Sequence, residues 1–243
     1  KKQGAASASG ASVVFLGDSI TQGWQYGGFS KNYPEHNGVD KPKEAALFEA
    51  RFTSPGGGAA PLNWAIGGDK VGDLAWRLDH GLLKVPVSPA VFVVMIGTND
   101  IRDPAAVRDP AAVAAAVMST VVRRLQRRWP KARVVLLALL PRAPREFPIT
   151  TESEPWGEDG AQEGGNTNIY YSPIKRINAY FEAAAARDPR RVTYLDCGAG
   201  LLSADGTRLP RTTMGDYLHP SLEGYRVLAD CIAPVLRGLT RVS

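Results

Sequence analysis

A doubly wound α/β fold, with a five-stranded parallel sheet between two layers of helices, is what this sequence predicts, and three observations predict it. Five short apolar runs rich in Val, Ile and Leu recur along the chain, amphipathic helical patterns lie between them, and no repeat, linker or composition break divides the whole. Of the 243 residues 44% are hydrophobic and 22% charged, which suffices for the core of one sizeable domain. Residues 12–243 are read as that domain, and residues 1–11, rich in Ala, Ser and Gly, as a flexible N-terminal segment.

The five runs are Ser12 to Leu16, Leu62 to Ile66, Ala90 to Ile96, Arg133 to Leu140 and Val192 to Asp196. Each is short and mostly apolar, as strands buried on both faces are. A brief helical pattern covers Lys43 to Phe52. The clearest helix opens with Asp109 as N-cap and Pro110 in the first helical position, then sets Val113, Val117, Val121, Leu125 and Trp129 in an i, i+4 stripe facing the sheet. Ser172 and Pro173 repeat that start signal ahead of Ile174, Ile177 and Phe181. Ser221 opens a last helix carrying Leu222, Tyr225, Leu228, Ile232 and Val235, which Pro234 is expected to kink or end.

Two stretches break this rhythm. Trp24 to Pro61 holds little beyond its one helical pattern, and Ala143 to Ile169 is aperiodic and acidic, with Glu146, Glu152, Glu154, Glu158, Asp159 and Glu163. Connections beyond about 12 to 15 residues are uncommon in compact domains and are usually functional or disordered. For the acidic stretch both readings stand: a lid over a site, or a disordered insertion. The aromatic residues here, Trp24, Tyr26, Phe29, Tyr33, Trp156, Tyr170 and Tyr171, either contact a ligand or anchor the loops.

Composition excludes several classes. No apolar run approaches the ~20 residues of a membrane-spanning helix, and the first dozen residues lack the apolar centre of a signal peptide. Since the chain starts at Lys1, a trimmed form is expected and the compartment stays open. A net charge of +5 permits a nucleic-acid partner, but the dense basic cluster (Arg123, Arg124, Arg127, Arg128, then Lys131 and Arg133) falls at a helix end, where cations favour the macrodipole. A solvated face is the expectation, and no nucleic-acid partner is. Cys197 and Cys231 form at most one bridge, and two readings stand: two small buried thiols, or a pair, since one ends the fifth strand and the other lies on the last helix, which is expected to pack against the sheet.

In an open parallel sheet ligands bind beyond the carboxyl ends of the strands. The first strand runs into Gly17-Asp18-Ser19, the second into Gly67-Gly68-Asp69 and the third into Gly97-Thr98-Asn99-Asp100, so three polar endings meet on one rim. A serine hydroxyl and nearby donors need a base to become an acyl-transfer site. His219 fits that part in Asp216-Tyr217-Leu218-His219-Pro220, with a carboxylate three residues ahead to orient its ring. His36 lies in a polar loop and His80 at a helix end; no metal-ligand spacing occurs, and neither a phosphate loop nor a dinucleotide fingerprint is present. No cofactor or metal is expected.

Taken together, Gly17-Asp18-Ser19, Gly68, Gly97-Thr98-Asn99-Asp100 and Asp216-x-x-His219-Pro220 resemble the four blocks of the SGNH, or GDSL-type, hydrolases, in the same order. More narrowly, Asn63-Trp64-Ala65-Ile66-Gly67-Gly68-Asp69, Trp76-Arg77-Leu78, Leu139-Leu140-Pro141-Arg142 and Asp216-Tyr217-Leu218-His219 are similar to the catalytic subunits of intracellular platelet-activating factor acetylhydrolase. The resemblance implies a flavodoxin-like fold, Ser19 as nucleophile, His219 as base, Asp216 as its orienter, and the Ser19 and Gly68 N–H groups with the Asn99 side chain as oxyanion donors. It further implies a small-molecule ester substrate, hydrolysis of short-chain and in particular acetyl esters, and a homodimer. A carbohydrate O-acetylesterase and a non-catalytic binding protein on the same fold are the alternatives.

Overall fold

The computed structural model describes residues 12–26, 41–53, 59–143 and 168–240. Five parallel strands, β1 (Ser12–Gly17), β2 (Leu62–Asn63), β3 (Pro89–Met95), β4 (Arg133–Leu137) and β5 (Val192–Leu195), form one sheet in the order β2-β1-β3-β4-β5. That order is the flavodoxin-like one. The second apolar run pairs as a strand only at Leu62 and Asn63, because β2 is an edge; beyond it Trp64 N–H and Ile66 N–H still donate to the Phe15 and Gly17 carbonyls of β1.

Alternation along the strands divides the core between two helical layers. Val14, Leu16, Phe92, Val94, Val134 and Leu136 point to one face, covered by α3 (Val71–Asp79), α5 (Pro110–Ala116), α6 (Arg123–Arg128) and α7 (Tyr171–Ala186). Val13, Phe15, Val91, Val93, Val135 and Leu137 point to the other, under α1 (Ser19–Tyr26), α2 (Lys41–Phe52) and α8 (Leu222–Thr240). A short helix, α4 (Pro104–Arg108), precedes α5; Asp103 and Asp109 cap the two, each accepting a backbone N–H with its side chain. Among the described residues no helix is long and apolar enough to cross a membrane.

Between α5 and α6 the chain is a π-helix, Val117–Val122. On an α-helix, positions four apart drift by roughly 40° per step, so a strict four-residue stripe turns away from its partner. The wider π segment takes back part of that drift, and Val113, Val117, Val121, Leu125 and Trp129 all stay buried. Ser119 and Thr120 sit at the widening, their hydroxyls donating to the carbonyls of Ala115 and Ala116, a competition with the backbone that distorts helices. In the basic cluster Arg124 pairs with Asp79 at 2.9 Å, and Arg128 donates to the Leu83 carbonyl at 2.7 Å.

The structure corrects two sequence expectations and decides between alternatives at two other places. Helix α7 starts at Tyr171, not after a Ser172 cap: Asn168 receives both the Tyr170 N–H on its side chain and the Tyr171 N–H on its carbonyl, so the turn before the helix does the capping. Pro234 does not end helix α8, which runs on to Thr240 with Leu236 buried beyond it. Trp24 is no loop residue; it lies in α1, packed on Phe48, Phe52 and Tyr225, the last at 4.5 Å between ring centroids. Of the two readings of Cys197 and Cys231 the bridge is the one formed: a disulfide, Cα atoms 5.9 Å apart, joins the end of β5 to α8. Ser221 does open α8, its hydroxyl accepting the Gly224 N–H.

The bridge spans 34 residues of sequence. Closing such a loop restricts the unfolded chain, so replacing both cysteines by alanine is expected to lower stability by about 2 to 4 kcal/mol. Urea midpoints under non-reducing conditions measure this, and coincident midpoints for the oxidised wild type and the double variant would refute it.

Candidate active site

The winding of the sheet reverses between β1 and β3, the position at which doubly wound sheets open a crevice beyond their carboxyl ends. Ser19 leaves β1 as the first residue of α1, and Asn99 leaves β3, so they flank that crevice from both sides. The turn after β2 brings Gly68, and the loop ahead of α8 brings Asp216 and His219.

Ser19 Oγ lies 2.9 Å from His219 Nε2, and His219 Nδ1 lies 2.8 Å from Asp216 Oδ2. With Nδ1–H donating to the carboxylate, Nε2 is left to accept the serine proton. Local chemistry builds this loop: Asp216 Oδ1 also accepts the backbone N–H of Leu218 at 3.1 Å and of His219 at 2.6 Å, so one carboxylate closes the turn and orients the ring. Tyr217 between them takes φ +63°, a conformation costly for a residue with a Cβ, and the turn is closed around it by Gly215 N–H donating to the His219 carbonyl. Burial pushes the Asp216 carboxyl up, but the bonds and charge from His219 outweigh it and leave its pKa lowered.

Three groups beside the crevice keep a hydrogen to donate. Neither Ser19 N–H nor Gly68 N–H has an acceptor among the described residues. Asn99 Nδ2 gives one hydrogen to the Asp69 carbonyl at 3.0 Å and keeps a second. Gly68 has φ +90° with open space where a Cβ would stand, so glycine is needed there for backbone conformation rather than room.

The supports of this turn escaped the sequence reading. Arg77 Nε and Nη2 both bond Asp69 Oδ2, while Nη1 donates to the Trp64 carbonyl at 2.7 Å. Burial raises the Asp69 pKa and Arg77 only partly offsets it. Gln22 Oε1 accepts the Gly67 N–H at 2.7 Å, and Asp100 accepts the Val71 N–H that opens α3. No spacing in the sequence marks Gln22 or Arg77 as partners of a turn 45 or 8 residues away.

Asp18 is fully buried; Oδ1 accepts the Ile20 N–H at 3.0 Å and Oδ2 has no partner among the described residues. Burial lifts its pKa to about 7, opposed by the Ile20 bond and the His219 charge. A carboxyl raised in the folded state stabilises fully below its unfolded pKa, and that contribution is lost as pH rises through the folded value. Each unit of the rise is worth about 1.4 kcal/mol. The stability difference between Asp18→Asn and wild type is therefore expected to move in favour of the variant from pH 4 to pH 8, measured by urea unfolding; a pH-independent difference would contradict the buried-carboxyl account.

His80 closes α3 at its C-terminus, exposed and bonded to the Trp76 carbonyl, as a helix-end residue. His36, Phe29, Tyr33, Trp156, the acidic residues of the fourth crossover and segment 1–11 lie outside the described residues. Tyr170 carries the Arg142 guanidinium over its ring at 3.9 Å. A cavity of about 450 Å³ adjoins them, lined among others by Arg142, Tyr171, Asn178 and Tyr194, but neither Ser19 nor His219 lines it. Among the described residues no three His, Cys, Asp or Glu side chains are grouped as metal ligands.

Residues 15–227 match the model of the GDSL-like Lipase/Acylhydrolase family. Among curated proteins the chain is similar to platelet-activating factor acetylhydrolase IB subunit alpha1 of Pongo abelii, 32% identical over 178 residues, 73% of this chain and 61% of that protein. It thus spans about three fifths of the length of the curated relatives it matches. Its backbone is similar to a GDSL-like lipase from Bacteroides thetaiotaomicron, with a TM-score of 0.63, 19% identity and coverage of 93% of this chain and 88% of the other. It is similar too to a catalytic mutant of an acetylxylan esterase from Geobacillus stearothermophilus, with a TM-score of 0.61, 17% identity and coverage of 94% and 95%. At these identities the two structures speak to the fold alone.

Proposed function

Because the chain belongs to the GDSL-like lipase/acylhydrolase family, we propose that it is a serine esterase hydrolysing short-chain acyl esters, acetyl esters above all, through an acyl-enzyme on Ser19. The observation that carries this reading is the continuous hydrogen-bonded chain from Ser19 Oγ through His219 to Asp216. His219 Nε2 takes the Ser19 proton as Oγ attacks the ester carbonyl, and Asp216 stabilises the resulting imidazolium. The carbonyl oxygen, now an anion, is received by Ser19 N–H, Gly68 N–H and the second Asn99 amide hydrogen. Collapse releases the alcohol with the proton from His219; water, activated by the same ring, then frees the acid and restores Ser19. Residues 12–243 form the hydrolase domain in this reading, a small ester is the partner, and a homodimer is the assembly that the resemblance to the acetylhydrolase subunits carries.

A fluorophosphonate probe is expected to label Ser19, and a panel of aryl esters is expected to be hydrolysed fastest at two-carbon acyl length. Preference for acetylated xylo-oligosaccharides over aryl acetates would identify a carbohydrate O-acetylesterase instead, and absence of both labelling and turnover would leave a binding protein. Equilibrium sedimentation at micromolar concentration separates homodimer from monomer. Asn99→Ala is expected to lower kcat by about 10²- to 10³-fold with a smaller change in KM, the usual cost of one oxyanion donor. A variant that lost stability and kept kcat per folded molecule would make Asn99 a turn residue only.

A further inference from the structure

The proposed chemistry makes no use of Asp18, although it is a fully buried carboxyl joined by one peptide bond to the nucleophile. Helix α1 begins at Ser19, so Asp18 stands at its N-cap, and Oδ1 holds the N–H of the second helical residue, Ile20, at 3.0 Å. A cap that takes that N–H leaves the first one, on Ser19, unclaimed, and Ser19 N–H indeed has no acceptor among the described residues. The surrounding backbone is held tightly. A Cβ on Gly17 would lie 2.4 Å from the Met95 carbonyl oxygen and from Thr21 Oγ1, so the turn from β1 into α1 runs close against β3. The Ile20 carbonyl is fixed as well, accepting the buried Tyr225 hydroxyl at 2.7 Å from α8, the helix that follows His219.

We infer that Asp18 is a positioning residue for the reaction: by holding Ile20 N–H it sets the first turn of α1 so that Ser19 N–H faces the oxyanion. The inference rests on Ser19 as the nucleophile. What the position requires is an acceptor and not a charge. Oδ2 has no partner to stabilise an anion, and burial lifts the pKa to about 7, so near neutrality a large share of molecules carry the uncharged acid, which asparagine copies in shape and in its acceptor oxygen.

The test compares Asp18→Ala and Asp18→Asn on an aryl acetate, with rates divided by the fluorophosphonate-titrated site concentration. Asp18→Ala is expected to lower kcat by about 10- to 100-fold with KM nearly constant, the size of effect that a misplaced group produces. Asp18→Asn is expected to restore kcat to within about threefold of wild type, because its side-chain oxygen still meets Ile20 N–H. If the alanine variant does not fold, Asp18→Cys, which fills more of the space without a good acceptor, takes its place. Wild-type kcat per site in the alanine or cysteine variant would overturn the inference, and so would an asparagine variant as impaired as alanine. Wild-type protein that turns over ester without labelling at Ser19 would remove the reading beneath it, a result distinct from either.

Discussion

Ser19→Ala is expected to reduce turnover of an aryl acetate by about 10⁴- to 10⁶-fold, the range found when a serine nucleophile is removed. Among the described residues the hydroxyl bonds only the His219 ring, and the backbone of α1 is held by Asp18, Gln22 and Tyr225 rather than by Ser19 Oγ. The fold should therefore survive, with circular dichroism and the urea midpoint close to wild type. Residual activity should exceed the uncatalysed rate, because the three oxyanion donors remain. Esterase rates near wild type in a well-folded Ser19→Ala protein would sink the mechanism.

Asp216→Asn should cost about 10⁴-fold in kcat for a different reason. One carboxylate oxygen now receives two backbone N–H groups and the other receives His219 Nδ1–H. In asparagine only one of the two positions keeps an acceptor. The backbone donors at 2.6 and 3.1 Å hold the amide oxygen, which turns the NH₂ group toward Nδ1. The ring must then carry its proton on Nε2, facing Ser19, where it cannot accept another. Because the lowered pKa keeps Asp216 ionised through the neutral range, the loss should be as large at pH 8 as at pH 7. A variant with near-normal kcat and an intact fold would show that the carboxylate only shapes the turn.

Much of this architecture can be read from the chain because strands buried on both faces leave uninterrupted apolar runs. β1, β3 and β4 are legible for that reason, and β5, a half-buried edge strand, by its β-branched and aromatic residues. The paired part of β2 was overestimated, since an apolar run does not reveal that a strand sits on an edge. The residues proposed for catalysis stood out because each follows a strand or precedes a helix, where polar residues interrupt the pattern. Their supports did not. Arg77 lies on an amphipathic helix where an arginine is ordinary, Gln22 inside α1 has no signature, and the left-handed φ of Tyr217 contradicts local preference, being held only by the fold around it. The Ser172 signal misleads because an Asn four residues earlier supplies the turn, and Trp24 reads as a loop residue because α1 is too short to show a period. The disulfide is one of two readings the sequence offers, since Cys197 ends β5 and Cys231 lies on the helix that packs against the sheet; spacing alone does not choose between them.

The buried bond from Tyr225 to Ile20 joins residues 205 positions apart, next to a Ser19–His219 contact that spans 200. For a chain made from one end to the other this imposes an order in time. At about 5 to 20 residues per second, the serine exists for roughly 10 to 40 seconds before the histidine does. In the proposed mechanism the growing polypeptide has, throughout that interval, an acceptor for acyl groups without the base that would arm it. On that mechanism esterase activity would switch on with the docking of the last helix, so in a refolding or translation experiment the first product molecule would time that final event, and a chain stalled short of Tyr225 would be silent however much of its sheet had formed.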